Sequence, residues 1–408
     1  MSASYSEPLP YPKRQKVFIK RILTRLENIY SPNSTAAVRN FLSGWCLGAE
    51  FEDIREGNIV KFLSWAMFAK RDEDLEEAER EEIDDFFIYL KRNHDITLPP
   101  GYNSSVRCAT LSLDPVQFLP RPILVYISIQ CLEVLKFAVL TLLGFSKLTA
   151  SNGLTYYYRP SSSSTPPREP SQQPLVFFHG IAPCGCLLYI PMVLLGLVRS
   201  SPRAVFFFEN QAVSMTMTMK VLSEFEVVEG VAEAMDMHCG RRVKMCLVGH
   251  SLGSCPVTWL ARSLPDKIGV VVLLDPVTLF LSHPAVAVNF VYKRHFTNIF
   301  EWIIYLGASS ELFIAHYLKR HFWWYRNELW LEEVPKSIQV IVALSRDDEI
   351  VDSPLCEYGI NKQKERGDIG DNVSLLMFER GHAIMIGMPA TWRRLEAELR
   401  AVETGKRD

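Results

Sequence analysis

Ser251 stands between Gly249 and Gly253 in the stretch KMCLVGHSLGSC, Lys244 to Cys255, directly after an apolar run. The pattern is G-x-S-x-G. It suits a serine lifted out of a sharp strand-to-helix turn, with glycines where side chains would collide. A serine hydroxyl attacks only when a base takes its proton and an acid orients that base. Three candidates follow Ser251 along the chain. Asp275 lies near the end of GVVVLLDPV, Asp348 ends QVIVALSRDD, and His382 closes NVSLLMFERGH. The order serine, acid, histidine is the one expected where such a turn is carried on a mainly parallel sheet. His179, in PLVFFHG, precedes the serine and fits a brace better than a base. His250, inside the turn itself, reads as a packing residue.

The elements that must position these groups are short apolar runs alternating with longer helical stretches. The runs cover 174–180, 204–210, 244–251, 269–277, 339–348 and 372–382. Their hydrophobicity is continuous rather than alternating, so both faces of each strand are buried, as in a parallel sheet covered by helices. Ligands of such sheets sit at the carboxyl ends of strands, where His179, Ser251, Asp275, Asp348 and His382 all fall. The expected class is therefore α/β, with a mostly parallel central sheet and helices on both faces. CLLYIPMVLLGLV, 186–198, is too short to span a bilayer and reads as the buried first helix of that sheet.

Taken together, LVGHSLGS, VFFHG, SRDDEIV and ERGHA resemble the α/β-hydrolase superfamily over roughly residues 150–405. LLDPV, NFVYKRHF and RHFWW resemble a membrane-associated eukaryotic branch of it. The resemblance implies an enzyme of the serine esterase or lipase type, with Ser251 as nucleophile and His382 as general base. It puts the acid at Asp348, with Asp275 as the alternative that some related lipases use. The oxyanion donors it implies are the N–H groups of Leu252 and of Ile181, in the loop after FFHG. Neither a metal nor an organic cofactor is implied. The chain departs from many members after the fourth main strand, where a D-x-R-G-x-G-x-S loop is replaced by FFFENQAVSMTMT. Specificity for small substrates therefore does not carry over.

The remaining sequence bounds the setting. Lys and Arg number 44 against 46 Asp and Glu, a net charge of −2 that offers no field for nucleic acid. Residues 1–120 read as a helical extension without an apolar signal-peptide core. Within it Ile83, Phe86, Phe87 and Leu90 repeat at helical spacing, with acidic residues first and Lys91 and Arg92 last. Residues 121–147 read as a membrane-associated or transmembrane helix, because 123–145 is long enough to cross a bilayer and Arg121 and Lys147 bracket it. Gln130, Glu133, Lys136 and Thr141 share an arc of roughly 140°, a polar stripe for protein or water while the rest meets lipid. Spanning and interfacial placements both fit.

Inside the 150–405 domain, 160–174 is a Ser/Pro insertion without core-forming residues. Residues 278–335, between the runs at 269–277 and 339–348, read as an aromatic-rich helical cap suited to an acyl pocket or a membrane. Trp323 and Trp324 lie in its densest aromatic part. Nine cysteines without metal or disulfide spacing fit reduced thiols on an intracellular membrane, while sequons at Asn33, Asn103 and Asn372 leave the compartment open. The expected activity is cleavage of an ester, or else an amide or thioester, of a hydrophobic acyl group or lipid. Acyl transfer to another alcohol, and a silent hydrolase fold acting as a membrane interaction module, are the alternatives.

Overall fold

A computed structural model describes residues 21–23, 25, 34–162, 173–199 and 203–405. Most of the Ser/Pro insertion, the sequon at Asn33 and the first twenty positions lie outside the described residues. The chain divides into two compact units. One takes in the described residues of 1–116 with 282–294 and 318–322; the other comprises 117–281, 295–317 and 323–405.

The first unit contains helices α1 (Ser34–Trp45), α2 (Glu56–Phe68) and α3 (Glu77–His94). Acidic residues open α3 and Lys91, Arg92 and His94 close it, each end complementing the helix dipole. Ile83, Phe86 and Leu90 are buried along one side. Phe41, Trp45, Phe62 and Trp65 pack ring against ring between α1 and α2. Ile96 to Val116 carries turns and extended chain but no helix. There Asp114 accepts hydrogen bonds from Thr110 at 2.9 Å and Tyr292 at 2.5 Å, and pairs with Lys319 at 3.5 Å.

The second unit is built on eight strands: β1 (Ser146–Thr149), β2 (Thr155–Arg159), β3 (Leu175–Phe178), β4 (Val205–Phe208), β5 (Met245–His250), β6 (Ile268–Leu274), β7 (Gln339–Ser345) and β8 (Val373–Phe378). They lie in the order β1-β2-β4-β3-β5-β6-β7-β8. Only β2 runs against its neighbours; from β4 to β8 every pairing is parallel. This order and direction are those of the α/β-hydrolase fold. The six apolar runs are β3 to β8. Residues such as Phe177, Phe207 and Val248 are fully buried, each burial contributing about 1.5–3 kcal/mol.

Helix α4 (Ile123–Leu142) places Leu140 in the core with 186–198 and with Trp392, Leu395 and Leu399 of α8 (Pro389–Thr404). Leu247, between Cys246 and Val248, faces the other side of the sheet. Helix α6 (Ser254–Ser263) covers β3, β5 and β6 and packs on α5 (Glu224–His238). Ser223 and Glu226 cap α5 reciprocally, and Asp352 caps α7 (Ser353–Glu365).

Two local readings are corrected. Lys147 does not flank a bilayer helix as an anchor: α4 stops at Leu142, Gly144 turns the chain at φ +84°, and Lys147 lies in β1 opposite Tyr157. The β1–β2 hairpin escaped notice because SKLT is too short and polar to signal a strand. Residues 186–198 are likewise no regular α-helix. A 3-10 turn, Gly185–Tyr189, is followed after Pro191 by a π-helix, Met192–Leu197. Pro191 cannot donate to the preceding turn. Gly196 lets Trp392 approach so closely that a Cβ would lie 2.8 Å from the Trp392 Cβ.

Candidate active site

The fully buried strand β5 delivers Ser251 at φ +50°, a left-handed conformation that a serine rarely adopts. The flanking glycines have steric reasons. A Cβ on Gly249 would sit 2.5 Å from the Gly253 carbonyl oxygen, and one on Gly253 would strike the Phe178 backbone. Ser254 Oγ donates to the Ser251 carbonyl at 2.6 Å and secures the start of α6.

Three of the expected residues converge on one point. His382, after β8, has Nε2 3.0 Å from Ser251 Oγ and Nδ1 2.7 Å from Asp348 Oδ2. The other Asp348 oxygen accepts the N–H groups of Ile350 at 2.7 Å and Val351 at 2.8 Å, which fixes the carboxylate. Glu349, which the sequence reading passed over, accepts the His382 N–H at 2.9 Å. Burial works most strongly to lower the His382 pKa, but the Asp348 carboxylate, aided by Asp275 and Glu349, outweighs it and raises the value to about 9.

Asp275 does not reach the imidazole by hydrogen bonding. Its Oδ1 accepts the Ser345 N–H at 2.7 Å, and its Oδ2 accepts the Ser345 hydroxyl at 3.0 Å and the Ala383 N–H at 3.2 Å. Burial and the nearby Asp348 push the Asp275 pKa up. Asp275, Asp348 and His382 could offer metal-ligand atoms within 4.8 Å of one another. In this structure those atoms take part in the hydrogen bonds just described.

The loop after β3 passes beside the serine. Ile181 lies in it, and among the described residues its N–H has no hydrogen-bond acceptor. Leu252 is the second residue of the short 3-10 turn Ser251–Gly253, too early for its N–H to be bonded within that turn. Gly180 approaches so closely that a Cβ there would lie 2.9 Å from Ser251 Cβ. His179 braces this loop: Nδ1 donates to the Gly180 carbonyl at 2.7 Å and Nε2 accepts the Asn210 N–H at 3.0 Å. Burial lowers the His179 pKa and drives that of His250 well below the ordinary value. Tyr189 OH accepts the Gly180 N–H at 3.1 Å and donates to His250 Nδ1 at 2.9 Å, a second brace.

A third brace is Glu209, just after β4, which meets Lys136 of α4 at 2.9 Å. Glu209 ends an apolar strand just as His179, Ser251 and Asp275 do. Its position was the signal that could have identified it.

A cavity opens beside Leu252, Gly253 and His179, walled by Leu154, Phe178, Leu222, Val227, Trp259 and Tyr317. Trp323 and Trp324 are not among its walls, and Trp324 is buried elsewhere. Their aromatic density signalled packing and not this cavity.

No family model and no curated protein matches the sequence. Solved structures with a similar chain path include a carboxylesterase from Bacillus subtilis. It is 10% identical, with 69% of this chain and 98% of that one covered, at a TM-score of 0.41. A membrane phospholipase A, described as a bacterial virulence factor, is 16% identical over 69% and 96% of the two chains, at 0.43. A peroxisomal alpha-beta-hydrolase from Saccharomyces cerevisiae is 11% identical over 64% and 86%, at 0.43. Likenesses of this size leave the fold assignment to the strand order itself and assign no activity.

Proposed function

We propose that the protein is a membrane-associated serine hydrolase of esters with an apolar acyl group. The observation that carries this reading is the run of short contacts Ser251–His382–Asp348, with the serine on a left-handed turn. In the forward step Ser251 Oγ attacks the ester carbonyl while His382 Nε2 takes its proton and Asp348 stabilises the imidazolium. The carbonyl oxygen gathers charge facing the N–H groups of Leu252 and Ile181. The tetrahedral adduct collapses, the alcohol leaves with the proton from His382, and the acyl group stays on Ser251. Water activated by the same imidazole then releases the acid and restores the hydroxyl. A fixed pair of oxyanion donors stabilises the transition state by roughly 3–4 kcal/mol for each donor lost on mutation.

The cavity beside Leu252 supports an apolar acyl group, because Leu154, Phe178, Trp259 and Tyr317 give it apolar surface alongside the polar Glu209, Gln211 and Lys220. Helix α4 is long and apolar enough to cross a bilayer by length and composition. It is exposed at Leu124, Val134, Leu135 and Leu142 and buried at Tyr126, Ile129, Lys136 and Leu140. That division supports lipid on one side and protein on the other. Labelling by a fluorophosphonate probe tests the chemistry. The full chain should label, Ser251→Ala should not, and equal labelling of both would remove Ser251 as the nucleophile.

A further inference from the structure

Helix α4 carries one lysine among apolar residues, and its ammonium does not face outward. Lys136 is fully buried, and each of its three protons has an acceptor: Glu133 at 2.9 Å, Glu209 at 2.9 Å and the Cys184 carbonyl at 3.1 Å. Two of those acceptors belong to the machinery beside Ser251. Cys184 lies three residues after Ile181 in the loop that follows β3. Glu209 is followed by Asn210, whose N–H fixes His179, and its second oxygen faces the Cys186 N–H at 3.4 Å. The loop is wound tightly about this carboxylate. Cys184 and Gly185 both adopt positive φ, and a Cβ on Gly185 would collide with the Glu209 carboxylate and come within 3.0 Å of His179 Nε2.

We infer that Lys136 is a positioning residue through which helix α4 holds the oxyanion loop, so that the seating of α4 is coupled to turnover. The inference rests on the reading of Ser251 as nucleophile and of the Ile181 N–H as an oxyanion donor. The physical link is short. Withdrawing the ammonium leaves the Glu209 carboxylate and the Cys184 carbonyl without their shared donor inside the protein, and the loop must rearrange to satisfy them. A small displacement of Ile181 moves its N–H off the point where the oxyanion forms, with little effect on how the acyl chain binds. A role limited to packing α4 on the sheet would disturb both alike.

The test compares the full chain in detergent micelles with the triple variant Lys136→Met, Glu133→Gln, Glu209→Gln, which removes the lysine together with both of its carboxylate partners. kcat and KM are measured on para-nitrophenyl butyrate per active site titrated with a fluorophosphonate. Amide hydrogen exchange is followed in 181–187 and, as a reference, in β7. The expected result is a kcat lower by about 10- to 100-fold, with KM within about threefold. Exchange should be faster in 181–187 and unchanged in β7. Wild-type kcat together with wild-type exchange in 181–187 overturns the inference. So does faster exchange spread equally over 181–187 and β7, which marks a merely structural part. If the loop exchanges faster while the unaltered chain has no Ser251-dependent turnover, Lys136 still anchors the loop and the hydrolase reading is what fails.

Discussion

Strand β5 and helix α4 are both apolar runs that carry a polar group essential to the arrangement, yet they use it in opposite ways. In β5 the polar residue comes last. The strand is buried from Met245 to His250, and Ser251 appears only where the chain leaves the sheet. In α4 the polar residue sits inside the run, and Lys136 is as fully buried as Leu140 while Val134, two residues before it, is 69% exposed. A strand enclosed on both faces has no place for a charge except at its end. A helix with one face turned to protein can hide a charge along that face and leave its apolar residues outside. Apolar composition alone therefore does not distinguish an element enclosed on both faces from one exposed along one face; where its polar residue is placed does.

The largest effect expected from breaking this contrast is at the strand end. Ser251→Ala should lower ester hydrolysis by at least about 10⁴-fold without changing the thermal melt, because it removes the nucleophile and little volume. Undiminished turnover in purified variant would mean that the elbow is only a turn. Next in size are the two carboxylates behind His382. Asp348→Asn should lower kcat by about 10⁴-fold by presenting the imidazole in the wrong tautomer. Asp275→Asn should act mainly on the melting temperature, since its oxygens accept from Ser345 and Ala383 and not from the imidazole. The reverse ranking would transfer the acid's role to Asp275.

The same pair fixes a pH dependence. His382 must be neutral to accept the serine proton, and its pKa is raised to about 9, chiefly by Asp348 against the effect of burial. kcat/KM should therefore rise as pH increases through an alkaline limb, not one near 6.5. Asp275→Asn removes a negative neighbour of His382 and should move that limb to lower pH. A limb that stays in place would show that Asp275 is uncharged over this range.

A smaller change is expected in the cavity. Each methylene buried there adds about 0.8 kcal/mol, roughly fourfold in binding. Activity on para-nitrophenyl esters should thus climb from acetate to octanoate. Trp259→Ala should flatten that climb more than it slows acetate cleavage, whereas a profile peaking at acetate would argue against a lipid-like substrate. The smallest effect on turnover belongs to the outer face of α4. Val134→Glu introduces a charge where lipid is expected, at a cost of about 2.5–3.5 kcal/mol on insertion scales. The unaltered chain should stay in the membrane pellet after alkaline carbonate washing, and the variant should shift towards the supernatant with its per-site kcat little changed. Release of the unaltered chain would place α4 on the membrane surface or away from it.

Local signals carried much of this protein. Runs such as VFFF and LVFF read as strands because they are short, rich in aromatic and β-branched residues, and bounded by turn-forming residues. G-H-S-L-G is an elbow because the contacts of Gly249 and Gly253 allow nothing larger. The chain order of Ser251, Asp348 and His382 was legible for the same reason, since each ends or follows a strand. Longer-range outcomes were not. Asp275 and Asp348 are alike in local pattern, two aspartates after neighbouring parallel strands, and only the family resemblance put Asp348 first. Only the path of the loops beyond β6 and β7 turned one towards His382 Nδ1 and the other towards Ser345. The β1–β2 hairpin was invisible because SKLT is too short and polar to signal a strand, and it joins the sheet through the pairing of β2 with β4. Lys136 read as an interruption in a membrane segment because its partners, Glu209 and Cys184, are 73 and 48 residues away. A side chain's neighbours along the chain determine which element it joins. The groups it meets there depend on strand order and crossovers, which arise only once the whole sheet has formed.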